Sequence, residues 1–146
     1  MGGVSRPSYT VDQHALDVAR ADLGLSFDVR VMLTHIRGPK NCVILGRYSG
    51  IDPFHSWHNV TVNPNATLSS VNATLWHELT HARQCEREGS FPRWDSLYRQ
   101  QQAELGVPYG DPAYFNAYRA MPFEAEAWNA NDLYEAGALA TIIYST

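Results

Sequence analysis

The chain has 146 residues, of which 45% are hydrophobic and 12% aromatic. This length and composition can bury one hydrophobic core, and we found no internal repeat, long linker or low-complexity tract, so a single domain spanning residues 1–146 is predicted. The formal net charge is −4, and no run of Lys or Arg occurs. The sequence therefore argues against nucleic acid or an anionic membrane surface as a partner.

Two further absences in the sequence bear on the compartment. No apolar stretch approaches the roughly 20 residues needed to cross a bilayer, and the first residues do not resemble a secretory leader. The two cysteines, Cys42 and Cys85, are too few for a disulfide framework, and reduced thiols suit the cytoplasm. We therefore expect a cytoplasmic protein that does not enter a membrane.

The first half of the chain predicts one helix followed by short strands. Apolar residues recur at helical spacing over residues 11–25, and residues 29–34 alternate as in a strand. Residues 42–45 predict a second strand, and residues 58–63 alternate again before Pro64. We expect a small, mostly antiparallel sheet behind an N-terminal helix.

Helices dominate the second half. They are predicted at 69–88, with Ser69 or Ser70 as the cap and Gly89 as the stop, at 93–105, and at 112–136 with an interruption at Pro122. Helix, small sheet and then several helices is the order of an α+β fold.

The strongest functional signal is the H-E-x-x-H motif formed by His77, Glu78 and His81. Residues four apart on a helix lie one turn above each other, so both imidazoles can reach one ion. Zinc lowers the pKa of a bound water to about 7, and a carboxylate beside that water can pass its proton to a leaving amine. The histidines lie about 140° from the apolar stripe of the helix, so we expect separate core and ligand faces.

A third ligand is needed, and the sequence leaves more than one candidate. The metzincin continuation is excluded because Gln84 and Arg87 occupy its Gly and His positions. Glutamates directly after the motif on the same helix cannot fold back onto the metal. Small alanines around Glu124 and Glu126 would let a second helix approach the motif helix closely, so one of these two glutamates is favoured.

The segment His77-Glu78-Leu79-Thr80-His81-Ala82-Arg83-Gln84, followed by Tyr118-Arg119-x-x-Pro122-x-Glu124-x-Glu126-Ala127, resembles the minimal gluzincin-type zinc metallopeptidases, including small bacterial and phage-encoded members. The resemblance covers roughly the C-terminal half of the chain. It implies a zincin-like fold, a Zn²⁺ cofactor, a peptide or protein substrate, and Glu78 as general base.

The resemblance also selects among the glutamates. The family's ligand glutamate usually has small residues one and three positions later, which points to His77, His81 and Glu124 as the metal ligands, with Glu126 as the alternative to Glu124. Trp128 stands where gluzincins often place an Asp or Asn that braces a histidine. Glu126 or Asn129 is the expected replacement for that brace.

Other residues are candidates for supporting roles. Tyr118, or Tyr114 one turn before it, could stabilise the oxyanion that forms when water attacks a carbonyl. The strand around Val60 could be a sheet edge that pairs with an extended peptide. His55 and His58 could reach the cleft or a second metal, although a loop histidine pair is more often exposed surface.

Two other functions remain possible at this stage. The chain could be a zinc-stabilised binding or regulatory module without efficient turnover, or a helical interaction protein without metal. The same ligand set could also accept Co²⁺, Mn²⁺ or Ni²⁺. The sequence leaves the natural substrate and the oligomeric state open.

Overall fold

The computed structural model describes residues 8–38, 43–54 and 56–146, and within them the fold is α+β. The helices are α1 (Gln13–Asp22), α2 (Leu68–Glu88), α3 (Phe91–Ala103), α4 (Tyr114–Arg119) and α5 (Pro122–Glu135). The strands are β1 (Tyr9–Val11), β2 (Asp28–Leu33), β3 (Gly46–Ile51), β4 (Trp57–Val62) and β5 (Ile143–Ser145). None of these helices is long and apolar enough to cross a membrane.

The main sheet has three strands in the order β2-β4-β3. Strand β4 is parallel to β2, with Val60 opposite Val31, and antiparallel to β3, with Val60 opposite Tyr48. The prediction that the strand around Val60 is a sheet edge is therefore wrong, because β4 has a partner on both sides. The outer strands of the described sheet are β2 and β3. The predicted antiparallel pairing holds for β3 with β4 and for β1 with β5, but not for β2 with β4.

Three strands differ from the sequence predictions. The strand predicted at residues 42–45 is not found there: residue 42 lies outside the described part, and Val43 forms an isolated bridge with Arg37. The second strand of the main sheet along the chain is β3 instead. Residue 55, a candidate for the cleft or a second metal, also lies outside the described part. Strands β1 and β5 pair with each other across nearly the whole chain and were not predicted. Each has only three residues, which is too short for alternation to be recognised in the sequence.

Helix α2 begins after Thr67, whose side chain accepts a hydrogen bond from the backbone N–H of Ser70 at 3.2 Å. The predicted caps, Ser69 and Ser70, instead lie inside the helix. The helix ends as predicted at Gly89, which adopts a left-handed conformation with a φ of 94°. Glycine adopts this conformation without the steric cost that other residues incur.

Helix α2 is the centre of the fold. One side packs its apolar stripe, including Leu75 and Leu79, against Val60 and Val62 of β4. The other side is covered by α3 and α5. The predicted apolar stripe is therefore in the core, and the side chains of the ligand face are also largely buried.

A buried amide joins α2 to β5. Asn72 accepts hydrogen bonds from the backbone N–H groups of Ile142 and Ile143, each at 2.8 Å, and donates to the carbonyls of Leu68 and Ile143. The side chain of Asn72 thus satisfies the polar backbone of a segment that is itself buried.

His58 lies in β4, where its side chain is fully buried, so the prediction of an exposed loop histidine is wrong. Its Nε2 is 2.6 Å from Glu86 Oε2, and its Nδ1 is 2.9 Å from the Tyr48 hydroxyl. Burial lowers the pKa of His58, so a neutral imidazole donates from Nε2 and accepts from Tyr48. Burial alone would raise the pKa of Glu86, but hydrogen bonds from His58 and from the backbone of Ser26 and Phe27 lower it.

The His58–Glu86 pair should make folding stability depend on pH. Because the pKa of His58 is lower in the folded protein than in the unfolded chain, the unfolded chain binds more protons near that pKa. The contribution of His58 to the free energy of unfolding is therefore present above pH 6.5 and is lost as the pH falls below that value. We expect His58→Gln, which keeps a donor for Glu86 but does not titrate, to lose less stability than the wild type between pH 7 and 5. Urea unfolding with a metal chelator in both samples would measure this; parallel pH profiles would contradict the prediction.

Candidate metal centre

Three side chains converge at the interface of α2 and α5. His77 Nε2 lies 3.1 Å from Glu124 Oε1, and His81 Nε2 lies 3.0 Å from Glu124 Oε2. All three residues are buried, and one ligand atom from each lies within 4.8 Å of the other two. A tetrahedral zinc site with bonds of about 2.0–2.1 Å separates its ligand atoms by about 3.3 Å. The spacing and chemistry of this His-His-Glu group therefore fit a divalent metal ion.

The start of α5 explains how Glu124 reaches the histidines. Pro122 occupies the first helical turn, where its missing N–H costs nothing, and Glu124 follows in the same turn. Ala127 is fully buried, and its small side chain lets α5 approach α2 closely. Glu126 lies outside this group: its carboxylate is 3.2 Å from the guanidinium of Arg87 and also accepts from Gln84.

The electrostatics of Glu124 and His81 favour an ionised carboxylate beside protonated imidazole nitrogens. Burial alone would raise the pKa of Glu124, but hydrogen bonds from His77 and His81 hold it far below its ordinary value. Burial alone would lower the pKa of His81, but the Glu124 hydrogen bond and the nearby Glu78 raise it. A metal ion here would take the place of the protons that join the carboxylate to the rings.

Glu78 has a different environment from Glu124. Its carboxylate makes no hydrogen bond to any residue in the described part of the chain, although it lines the cleft beside the His-His-Glu group. Burial raises the pKa of Glu78, with the nearby histidines opposing the shift. The structure thus brings the predicted base next to the predicted ligands and leaves its oxygen atoms free for another partner.

The backbone of β3 passes directly over Glu78 at Gly46. A Cβ atom at Gly46 would lie 2.5 Å from Thr74 Cγ2 and 2.9 Å from Glu78 Oε2. No larger residue fits there without displacing one of these side chains. Sequence reasoning did not identify Gly46, because its importance comes from a strand crossing a helix rather than from any local pattern.

Two tyrosines form a hydrogen-bonded chain that ends on Glu124. Tyr98 donates to Glu124 Oε2 at 2.7 Å, and Tyr118 is 2.7 Å from the Tyr98 hydroxyl. Burial and the charge of Glu124 raise the pKa of both tyrosines, so both hydroxyls stay protonated. Tyr118 and Tyr114 line the cleft, as their predicted role requires. Tyr98 was missed because only the packing of α3 on α2 brings it to Glu124.

Trp128 lies four residues after Glu124, where gluzincins often have an Asp or Asn. Trp128 packs edge-to-face on His77, with 4.8 Å between ring centroids. Neither Glu126 nor Asn129 forms a hydrogen bond with His77 or His81 in the described part of the chain. The brace is instead Gln84, whose Oε1 lies 2.9 Å from His81 Nδ1.

A cleft of about 1080 Å³ opens over Glu78 and the His-His-Glu group. Strand β3 and the segment before it line one wall. Aromatic side chains line much of the rest: Tyr98, Tyr109, Tyr114, Phe115, Tyr118 and Trp128. Tyr109 and Phe115 are also largely exposed, so the entrance presents apolar surface to solvent.

No protein family, curated protein or solved structure matched this chain. The resemblance to gluzincins therefore depends on the chain's own residues. Those residues form a buried group, His77, His81 and Glu124, that could hold a metal ion within an α+β fold.

The zinc content of variants should show whether Glu124 or Glu126 is the third metal ligand. We expect the wild type to retain close to one zinc per chain after dialysis, Glu124→Ala to lose it, and Glu126→Ala to retain it, because Glu126 lies outside the group. Elemental mass spectrometry of the three purified proteins would measure this. Equal zinc loss in both variants would contradict the assignment of Glu124.

Proposed function

We propose that this protein is a zinc-dependent metallopeptidase with a zincin-like fold. The observation that supports this most directly is the convergence of His77, His81 and Glu124 in one buried group, with the carboxylate of Glu78 beside it in an open cleft and without a hydrogen bond to any described residue. A metal site, a base and room for a substrate are the three parts that hydrolysis of a peptide bond requires.

In the proposed reaction His77, His81 and Glu124 would hold the metal. Zinc in such a site polarises the substrate carbonyl and lowers the pKa of water to about 7. Glu78 takes a proton from the water whose oxygen bonds to the carbonyl carbon, and then gives that proton to the amine nitrogen as the C–N bond breaks. Burial raises the pKa of Glu78, so its carboxylate holds a proton more readily than an exposed glutamate does.

The tyrosine chain supports two roles in this proposal. Tyr98 donates to Glu124 and so keeps the carboxylate oriented toward the histidines. Because the single hydroxyl proton of Tyr98 goes to Glu124, Tyr118 donates its own proton to Tyr98. Tyr118 also lines the cleft, so it is the candidate donor to the oxyanion if its hydroxyl turns from Tyr98 toward the substrate.

The substrate is proposed to be a peptide or a protein segment in extended form. Because β4 is a central strand, the pairing role passes to β3, an outer strand of the described sheet that lines the cleft next to Glu78. An extended chain beside β3 would place its side chains alternately toward the aromatic wall.

The alternative is a zinc-stabilised binding or regulatory module. Structural zinc sites usually have four protein ligands, whereas the described residues supply three, and the cleft leaves space beside them. The free carboxylate of Glu78 also has no structural role in the described contacts. These two observations favour catalysis over a purely structural metal.

Glu78→Gln should separate the two functions. The variant removes the base but keeps the size of the side chain, so we expect zinc to stay bound and kcat to fall by about 10²–10⁴-fold. Glu135→Gln, at an exposed glutamate that also lines the cleft, is the matched control and should retain activity. Cleavage of a proteome-derived peptide library by the zinc-loaded proteins provides the measurement.

Full activity in Glu78→Gln would contradict the mechanism. A wild type that binds zinc but cleaves no member of the library would support the binding module.

Gly46→Ala should affect the base without affecting the metal. The added methyl overlaps Glu78 and Thr74, and a displacement of about 1 Å at a reacting group can cost about 10²-fold in rate. We expect reduced kcat with unchanged zinc content. Ser49→Ala, at an exposed position on the same strand, is the control; equal kcat in the two variants would show that the close approach is unimportant.

A further inference from the structure

Gln84 is a fully buried amide one turn after His81 on α2. The orientation of its amide is fixed by two groups, one of which can only donate a hydrogen bond and the other only accept one. The indole N–H of Trp94 can only donate, so the atom 3.2 Å from it is Oε1. The backbone carbonyl of Phe123 can only accept, so the atom 2.8 Å from it is Nε2. Nε2 also donates to Glu126 Oε1 at 2.7 Å.

This orientation determines which nitrogen of His81 carries a proton. Oε1 of Gln84 has no proton to give, and it lies 2.9 Å from His81 Nδ1. His81 must therefore donate from Nδ1, which leaves Nε2 directed at Glu124 and the metal position. Trp94 also packs against the His81 ring, with 5.5 Å between ring centroids, so both the tautomer and the rotation of the ring are fixed.

The other end of the same amide holds the start of α5. Phe123 and Glu126, which accept from Gln84 Nε2, stand on either side of Glu124 in sequence. Glu126 is in turn paired with Arg87, which keeps its carboxylate in place. Gln84 therefore connects a histidine on one helix to the turn that carries the glutamate on another.

We propose that Gln84, oriented by Trp94, is the positioning residue of the metal centre, holding the Nδ1 proton of His81 and the Glu124 turn in one geometry. The inference rests on the proposed metal centre and adds to it a residue with no contact to the metal position. An amide is suited to this place because it accepts on one side and donates on the other. A carboxylate could serve His81 and Trp94, but it would repel Glu126.

The test is zinc affinity, measured by competition with a chromogenic chelator. Gln84→Met keeps the side-chain length and removes all four hydrogen bonds, and we expect a Kd for Zn²⁺ about 10–100-fold higher than in the wild type. Trp94→Phe removes the indole donor but keeps a ring in place, and should weaken binding in the same direction by a smaller factor. Circular dichroism confirms that each variant is folded before titration.

Asn72→Leu is the matched control. Asn72 is also a fully buried, four-bonded amide on α2, but it holds β5 rather than the metal centre. It should lower the unfolding midpoint while leaving the Kd for Zn²⁺ unchanged. A loss of affinity in Asn72→Leu equal to that in Gln84→Met would show that the effect is general destabilisation, and would overturn the inference.

A spectroscopic readout separates positioning from packing. In protein labelled with ¹⁵N-histidine and loaded with zinc, His81 should show a protected Nδ1–H that is absent in Gln84→Met. Gln84→Glu should restore this signal, because it supplies the acceptor, while zinc binding stays weak because the carboxylate repels Glu126.

Besides an equal loss of affinity in Asn72→Leu, two outcomes would overturn the inference, and they differ in whether the metal centre is overturned with it. Wild-type Kd in both Gln84→Met and Trp94→Phe would overturn it while leaving the metallopeptidase proposal intact. No zinc binding by the wild-type protein would overturn the metal centre and this inference together. If Gln84→Met does not fold, the Kd for Zn²⁺ in Trp94→Phe and the Kd and Nδ1–H signal in Gln84→Glu decide between the outcomes.

Discussion

The burial of α2 on every side is the constraint on which the rest of the structure depends. A wholly apolar helix could be buried by close packing alone. This helix instead carries polar side chains into the interior, namely those of Asn72, His77, His81 and Gln84. Each buried polar group requires a partner, because an unsatisfied one costs about 1–3 kcal/mol. The partners come from different elements, namely β5, α3 and α5. Providing partners for the polar groups of α2 thus fixes the positions of two other helices and one strand.

The same constraint assigns different states to two carboxylates that share one cleft. Glu124 receives hydrogen bonds from two imidazoles and a tyrosine, so its charge is stabilised despite burial. Glu78 accepts no hydrogen bond from the described residues, and burial shifts its pKa upward. Pairs of carboxylates whose pKa values move in opposite directions are typical of sites that need one fixed anion and one group that exchanges protons. The proposed division into ligand and base, which is drawn from the motif and the geometry of the group, agrees with this difference.

Local signals predicted the helices and the pairing of His77 with His81, and the resemblance to gluzincins selected Glu124 over Glu126, whereas long-range contacts could not be predicted from the sequence. The spacing of His77 and His81 and the stop at Gly89 are properties of one helix, and the small residues after Glu124 indicated a close helix contact. The central position of β4 depends on which strands pair with it, and the closeness of Gly46 to Glu78 depends on a crossing between elements. Neither feature can be recognised from the neighbouring residues in the sequence.

The short turn between α2 and α3 affects the order in which the site can assemble. Gly89 ends one helix and Ser90 caps the next, so α3 folds back at once along α2. The bond between Gln84 and Trp94 spans 10 residues, whereas that between His77 and Glu124 spans 47. Contacts between residues near in sequence close smaller loops and form sooner. We therefore expect the histidine brace to be in place during folding before the carboxylate of Glu124 arrives.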